Sequence, residues 1–327
     1  MKAHVCRRYG GPEVIELADV PKPVPADDDV LVRIRATTVT AADWRVRTLE
    51  VPRGFGLFAR LALGITGPRQ PILGTELAGT VEAVGKGVTR YRAGDAVFAF
   101  SGVRMGCHAE YRVVPQSGPI AKKPEALSFE EAAALPFGGH AALHFLRQAK
   151  LKAGERILVV GASGSVGTAM VQLAKHRGAE VTGVTSTRNL ELVVSLGAHR
   201  VIDYTKQDYA AGGQTWDVIA DTVGAISSAD GQKALSNGGR FLAIAGDLSA
   251  LLAALRAKIA GSNRVIAGPA EERVADFHHL VELAAGGVLR PVIDTVYPFA
   301  QMREAHRYVE TRRKRGSVVV SLSETSQ

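Results

Sequence analysis

Apolar and polar positions alternate along Val30-Leu31-Val32-Arg33-Ile34-Arg35-Ala36, the period of a half-buried strand. Gly79-Thr80-Val81-Glu82-Ala83-Val84-Gly85 repeats the pattern, and Pro21, Pro23, Pro25, Gly85, Gly87 and Gly94-Asp95 punctuate it. Residues 1–124 therefore read as a β domain. The pattern changes near Ser128-Phe129-Glu130-Glu131, where Ser128 and Glu131 have the spacing of a capping box. Beyond it, strand-like runs at 157–160, 181–184, 201–202, 217–220 and 241–245 alternate with helical spacing at 166–176 and 190–196. Strands separated by helices of that length predict βαβ units and a parallel sheet. After about residue 290 short strand-like runs return, ending in Val318-Val319-Val320, a strand expected to complete the first domain. The expected division is 1–124 together with 290–327 for one domain and 125–289 for the other.

Composition changes this picture little. A chain of 327 residues, 46% hydrophobic and 22% charged, supplies enough apolar material for two cores. No run reaches the roughly 20 apolar residues that span a membrane; the longest, 57–65, is interrupted by Arg60. The first residues carry no apolar signal region, and two cysteines make no disulfide framework. A cytoplasmic protein is expected. Half of the net charge of +8 comes from the basic run 312–315. Such a run attracts polyanions, but no aromatic-basic motif accompanies it, so nucleic-acid binding is not expected.

The strongest chemical signal is Ile157-Leu158-Val159-Val160-Gly161-Ala162-Ser163-Gly164-Ser165-Val166-Gly167. A buried strand runs through a glycine-rich turn into a helix. Gly161 and Gly164 let the backbone turn tightly and approach a pyrophosphate, and Gly167 lets the helix pack on the strand. The N–H groups at the helix start then face the phosphates. Gly161, Ser163, Gly164, Ser165, Val166 and Gly167 are thus candidate dinucleotide contacts. An NAD site places an acid near the end of the second strand. Here that region reads Val184-Thr185-Ser186-Thr187-Arg188-Asn189. Ser186 and Arg188 suit a 2′-phosphate instead, which points to NADPH. The turns at Asp221-Thr222-Val223-Gly224 and Ala245-Gly246-Asp247 follow later strands, so Val223, Ala245 and Gly246 are expected along the same crevice.

These motifs stand in one order with Gly74-Thr75-Glu76-Leu77-Ala78-Gly79-Thr80-Val81, Gly94-Asp95-Ala96-Val97 and Ala132-Ala133-Ala134-Leu135-Pro136. Together they resemble the medium-chain dehydrogenase/reductase superfamily, in its zinc-free quinone oxidoreductase branch, over nearly the whole chain. The resemblance implies an α/β protein with a GroES-like β-rich catalytic domain and a Rossmann parallel-sheet domain. It also implies a homodimer formed through sheet edges, and Tyr204 beside the 2′-phosphate with Ser186 and Arg188. The loop at Val265-Ile266-Ala267-Gly268 would pass near the nicotinamide and the dimer edge.

Zinc members of that superfamily carry Cys-His-x-Asp and Gly-His-Glu segments. The matching segments here read Thr40-Ala41-Ala42-Asp43 and Gly74-Thr75-Glu76. Thr40 and Thr75 cannot replace a thiolate and an imidazole, so no metal site is expected. The adjacent Cys107-His108 reads as ordinary strand residues, and His278-His279 as a helix surface pair. Without a Lewis acid, acceptors already activated by conjugation are the easiest to reduce. Thr40 and Asp43 are the candidate catalytic contacts, with Asp43 alternatively capping the next turn. His140 is a candidate proton source, and Phe55, Leu57, Phe58, Leu61 and Leu63 in segment 52–71 are a candidate apolar substrate wall.

The expected activity is NADPH-dependent hydride transfer to a hydrophobic quinone or enone. The nearest alternative is a 2-alkenal or enoyl-thioester reductase, the latter weakened because 47–51 holds no Tyr. An alternative of another class is a weakly catalytic, NADPH-bound RNA-binding protein.

Overall fold

The computed structural model describes residues 1–50, 56–208, 213–262 and 264–322. From the N-terminus run β1 (Lys2–Cys6), β2 (Ile15–Asp19), β3 (Asp29–Val39), α1 (Ala41–Thr48), α2 (Gly56–Leu63), β4 (Glu76–Val84), β5 (Ala96–Phe100), β6 (Tyr111–Pro115), β7 (Ile120–Lys122) and α3 (Phe129–Ala133). Then come α4 (Pro136–Gln148), β8 (Arg156–Val160), α5 (Ser165–His176), β9 (Glu180–Thr185), α6 (Leu190–Ser195), β10 (Arg200–Asp203), β11 (Trp216–Asp221), α7 (Ser228–Lys233) and β12 (Leu235–Ala243). The chain ends with α8 (Leu248–Ile259), β13 (Val265–Ala267), α9 (Val274–Ala285), β14 (Ile293–Pro298), α10 (Met302–Glu310) and β15 (Ser317–Ser321).

Among the described residues, one unit holds 1–137 and 272–327. Its main sheet has the order β14-β15-β3-β4-β5-β7, with β6 also on β3. The alternation in β3 is realised: Val30, Val32 and Ile34 pack with Leu77, Val81, Val97 and Ile120, all buried. Each such aliphatic side chain contributes roughly 1.5–3 kcal/mol on burial. The C-terminal strand β15 pairs with β3 antiparallel and β14 parallel, as Val318-Val319-Val320 suggested.

Two helices of this unit escaped the pattern reading. In α10, Met302, Ala305, His306 and Val309 form the buried stripe, so helical spacing was present where strands were expected. In α1 the signal was Thr40 and Asp43 at capping-box spacing.

The second unit holds 138–271. All its strands are parallel, in the order β10-β9-β8-β11-β12-β13. In order of appearance this reads 3-2-1-4-5-6, the doubly wound order in which the sheet reverses direction between β8 and β11. Apolar runs such as Ile157-Leu158-Val159-Val160 are buried throughout, because helices cover both faces of such a sheet. Val265-Ile266-Ala267, expected as a loop, is the edge strand β13.

The divisions after Phe137 and Glu271 differ from the expected ones after 124 and 289. The capping box at Ser128 and Glu131 is present, with bonds of 2.8 and 3.1 Å, but its helix α3 packs on β3 and β4. Helix α9 packs on β7 of the first unit, with Phe277 stacked on Phe100 at 5.9 Å. A helix recognisable in sequence does not disclose which sheet buries it.

Candidate active site

The glycine-rich turn leaves β8 at the reversal point of the parallel sheet. Gly161 has φ +76°, and a Cβ there would lie 2.5 Å from Val223 Cγ1. A Cβ on Gly167 would lie 2.1 Å from Gly161 O, so helix and turn touch backbone to backbone. Thr168 N–H is the first in α5 to bond back, to Gly164 O at 2.8 Å. The N–H groups ahead of it leave the end of the helix, with no side-chain cap at Gly164. A Cβ on Gly164 would meet only Gly161 O, at 3.5 Å. Ser165 and Val166, the first helical residues, are partly exposed.

A buried polar network joins this turn to the end of β9. Ser163 Oγ accepts from Thr185 Oγ1 at 2.9 Å and from Asn189 Nδ2 at 3.0 Å. Asn189 Nδ2 also donates to Ser186 Oγ at 3.3 Å. Arg188 is exposed on the same turn, and Tyr204, 58% exposed, bonds its N–H to Thr185 O at 3.1 Å. Between them Asp203 accepts from Thr187 Oγ1 at 2.5 Å and Thr205 Oγ1 at 2.7 Å. These hydroxyls hold its carboxyl below the usual range.

The remaining predicted contacts follow β11 and β12. Buried Asp221 gives its carboxylate to the N–H groups of Val223, Gly224 and Ile226, at 3.0, 2.8 and 2.7 Å. Its own carbonyl accepts from Ile244 and Ala245, at 3.0 and 3.4 Å. Gly246 closes that turn onto Ala243 O at 3.2 Å. The residues expected around a dinucleotide thus lie at the carboxyl ends of β8, β9, β10, β11 and β12 in one sheet. Sequence reasoning missed Asn189, Asp203 and Asp221, which build the turns from below. Asp221 carried a signal, standing three residues before Gly224 at a strand end.

The candidate catalytic pair is arranged differently. Thr40 is the N-cap of α1 and forms a reciprocal capping box with Asp43. Asp43 Oδ2 accepts from Thr40 N at 2.7 Å and Thr40 Oγ1 at 2.6 Å, and Oδ1 accepts from Gly74 N at 2.9 Å. Both residues are buried. In this arrangement the single hydroxyl proton of Thr40 is directed to Asp43. The capping alternative for Asp43 is the one observed.

Glu76, fully buried, accepts from Thr38 Oγ1 at 2.5 Å and Phe137 N at 2.6 Å, and burial pushes its carboxyl up to about 8. Thr75 Oγ1 is buried without a hydrogen-bond partner among the described residues. Cys107 and His108 lie before β6 rather than on it. Burial pushes the Cys107 thiol up to about 12, and His108 Nε2 lies 3.0 Å from Thr38 O. Among the described residues no cluster of three or more His, Cys, Asp or Glu could hold a metal ion.

His140 is buried with Nε2 2.6 Å from Glu271 O, and one turn on, His144 Nδ1 accepts from Glu271 N at 3.2 Å. The two imidazoles hold the peptide groups on either side of Glu271. Phe55 and the side chains of Leu57 and Phe58 lie outside the described residues; Leu61 is 55% exposed. His278 and His279 are exposed on α9, as expected. In the basic run, Arg312 pairs with Glu50, Lys314 donates to Gly316 O and Arg315 pairs with Asp294. No helix among the described residues is long and apolar enough to cross a membrane.

Residues 26–125 match the family model of the alcohol dehydrogenase GroES-like domain, and residues 196–320 match that of the zinc-binding dehydrogenase. The NADPH-dependent alkenal/one oxidoreductase, chloroplastic, of Arabidopsis thaliana is 31% identical, covering 98% of this chain and 79% of its own length. The quinone oxidoreductase of Homo sapiens is 30% identical, covering 94% of each chain. The structure of the quinone oxidoreductase from Coxiella burnetii superposes with a TM-score of 0.86 at 28% identity, covering 98% of this chain and 99% of that one.

Proposed function

The chain belongs to the medium-chain dehydrogenase/reductase superfamily, in its quinone oxidoreductase branch, and from that premise we propose that it reduces quinones or enones with NADPH, without catalytic zinc. The observation that carries this reading is the glycine-rich turn at the reversal point of a 3-2-1-4-5-6 parallel sheet, its backbone donors directed out of α5.

In this reading the turn formed by Gly161, Ser163, Gly164, Ser165, Val166 and Gly167 holds the diphosphate. Ser186, Arg188 and Tyr204 take the 2′-phosphate. The turn after β9 carries no acid of its own to take the ribose 2′-hydroxyl, which supports NADPH over NADH, and the nearby Asp203 carboxylate is occupied by the hydroxyls of Thr187 and Thr205. Val223, Ala245 and Gly246 lie along the rest of the dinucleotide. The bound nicotinamide supplies a hydride.

Thr40 and Thr75 at the zinc-ligand positions, and an Asp43 carboxylate occupied by three donors, support zinc independence. An electrophile activated by its own conjugation then suits the protein best. Thr40 offers substrate only a lone pair, and Asp43 is a positioning residue, so the product's proton comes from elsewhere.

Edge strand β13, with Leu252, Leu255 and Ile259 of α8 exposed beside it, supports a homodimer. The two buried free thiols, Cys6 and Cys107, fit the reducing cytoplasm.

The test is NADPH oxidation against a panel of quinones and alkenals, with metal content measured on the same sample. Turnover that tracks bound zinc and stops with chelator would refute the metal-free reading. No binding of either nicotinamide nucleotide would refute the whole.

A further inference from the structure

Building on the NADPH reading, we propose that Asn189 is a positioning residue that sets the preference for NADPH by aiming two serine hydroxyls at the cofactor's phosphates. Asn189 is 3% exposed and touches both ends of the nucleotide cradle. Its Nδ2 lies 3.0 Å from Ser163 Oγ in the glycine-rich turn and 3.3 Å from Ser186 Oγ on the turn carrying Arg188. An amide nitrogen donates and does not accept. Both hydroxyls therefore accept from Asn189, and each turns its own proton elsewhere.

Ser163 Oγ also accepts from Thr185 Oγ1 at 2.9 Å. Its two lone pairs are then filled, and donation is all that remains to it. Ser186 keeps its proton by the same logic. One buried amide so prepares two donors for one polyanion, the geometry that charge-assisted hydrogen bonding rewards most. Asn189 Oδ1 is buried with no partner among the described residues, an arrangement that packing alone does not favour.

The two hydroxyls report different parts of the ligand. A diphosphate is common to NADPH and NADH, whereas only NADPH brings a phosphate to Ser186. Loss of the amide therefore falls mainly on NADPH, and its effect passes through Ser186.

The experiment titrates NADPH and NADH against the full chain and its Asn189→Ala, Ser186→Ala and doubly substituted forms. Asn189→Ala is expected to weaken NADPH about tenfold and NADH less than about threefold. Ser186→Ala is expected to cost about tenfold for NADPH in the parent and less than about twofold once Asn189 is Ala. Asn189→Asp, of the same size but able only to accept, turns both protons inward and should cost NADPH more than Asn189→Ala; it also serves if the Ala form does not fold.

Equal losses for both cofactors, or independent effects of Asn189→Ala and Ser186→Ala, would overturn the proposal. If Arg188→Ala nonetheless erodes the NADPH preference, the cofactor reading survives that failure. A parent that binds NADPH no tighter than NADH overturns both.

Discussion

The nucleotide cradle and the Thr40–Asp43 corner are both built from small hydroxyl residues and an acid, yet they spend them in opposite directions. In the cradle, Asn189 donates to Ser163 and Ser186, so those two hydroxyls keep protons to give, while Asp221 and Asp203 take up the donors of the turns around them. In the corner, Asp43 consumes the hydroxyl proton of Thr40 and the backbone N–H groups of Thr40 and Gly74. A site meant to hold a polyanion needs donors held open.

The contrast can be broken at several points. Asp43→Ala orphans the N–H groups of Thr40 and Gly74, at about 1–3 kcal/mol each, so a loss of roughly 3–4 kcal/mol in denaturant unfolding is expected. Unchanged stability with abolished turnover would make the corner catalytic after all. Gly167→Ala pushes a Cβ to 2.1 Å from Gly161 O and should cost about 3 kcal/mol together with cofactor binding. Arg188→Ala should lose about 2 kcal/mol of NADPH binding and leave NADH unchanged, read by fluorescence titration. Equal losses would remove Arg188 from the phosphate.

The first unit also predicts a pH effect. Burial lowers His4 to about 4, His306 well below its usual value, and His108 in the same direction. The unfolded chain takes up these protons near pH 6.5, whereas the folded one does not. Their contribution is whole above pH 6.5 and is lost as pH falls towards 4. For His4 alone the loss between pH 6.5 and pH 5 should be about 2 kcal/mol, and His306 and His108 add to it in the same direction. His306→Leu should flatten that acid limb, because both ring nitrogens lack partners among the described residues. Equal urea stability of the parent at pH 7 and pH 5 would contradict it. The smallest effect is expected from Gly164→Ala, whose Cβ meets nothing closer than 3.5 Å. Stability should hold while dinucleotide affinity falls by about 1 kcal/mol; a change in stability alone would place Gly164 in the fold rather than in the cradle.

Much of this molecule was legible before any coordinates. Five of the six strands of the parallel sheet, the glycine-rich turn and the missing acid after β9 are local features, written in consecutive residues with periods that backbone geometry imposes. The capping boxes at Ser128 and Thr40 are equally local, although whether Asp43 served a cap or a substrate could not be read from spacing. Tertiary structure added a third donor to Asp43, the N–H of Gly74, 31 residues away. It also decided that α9 belongs with β7, that the basic run 312–315 answers Glu50 and Asp294, and that Asn189 lies beneath both Ser163 and Ser186. Periodicity says that a residue is buried. Only the folded chain says which distant group it meets there, and so whether its proton is already spent.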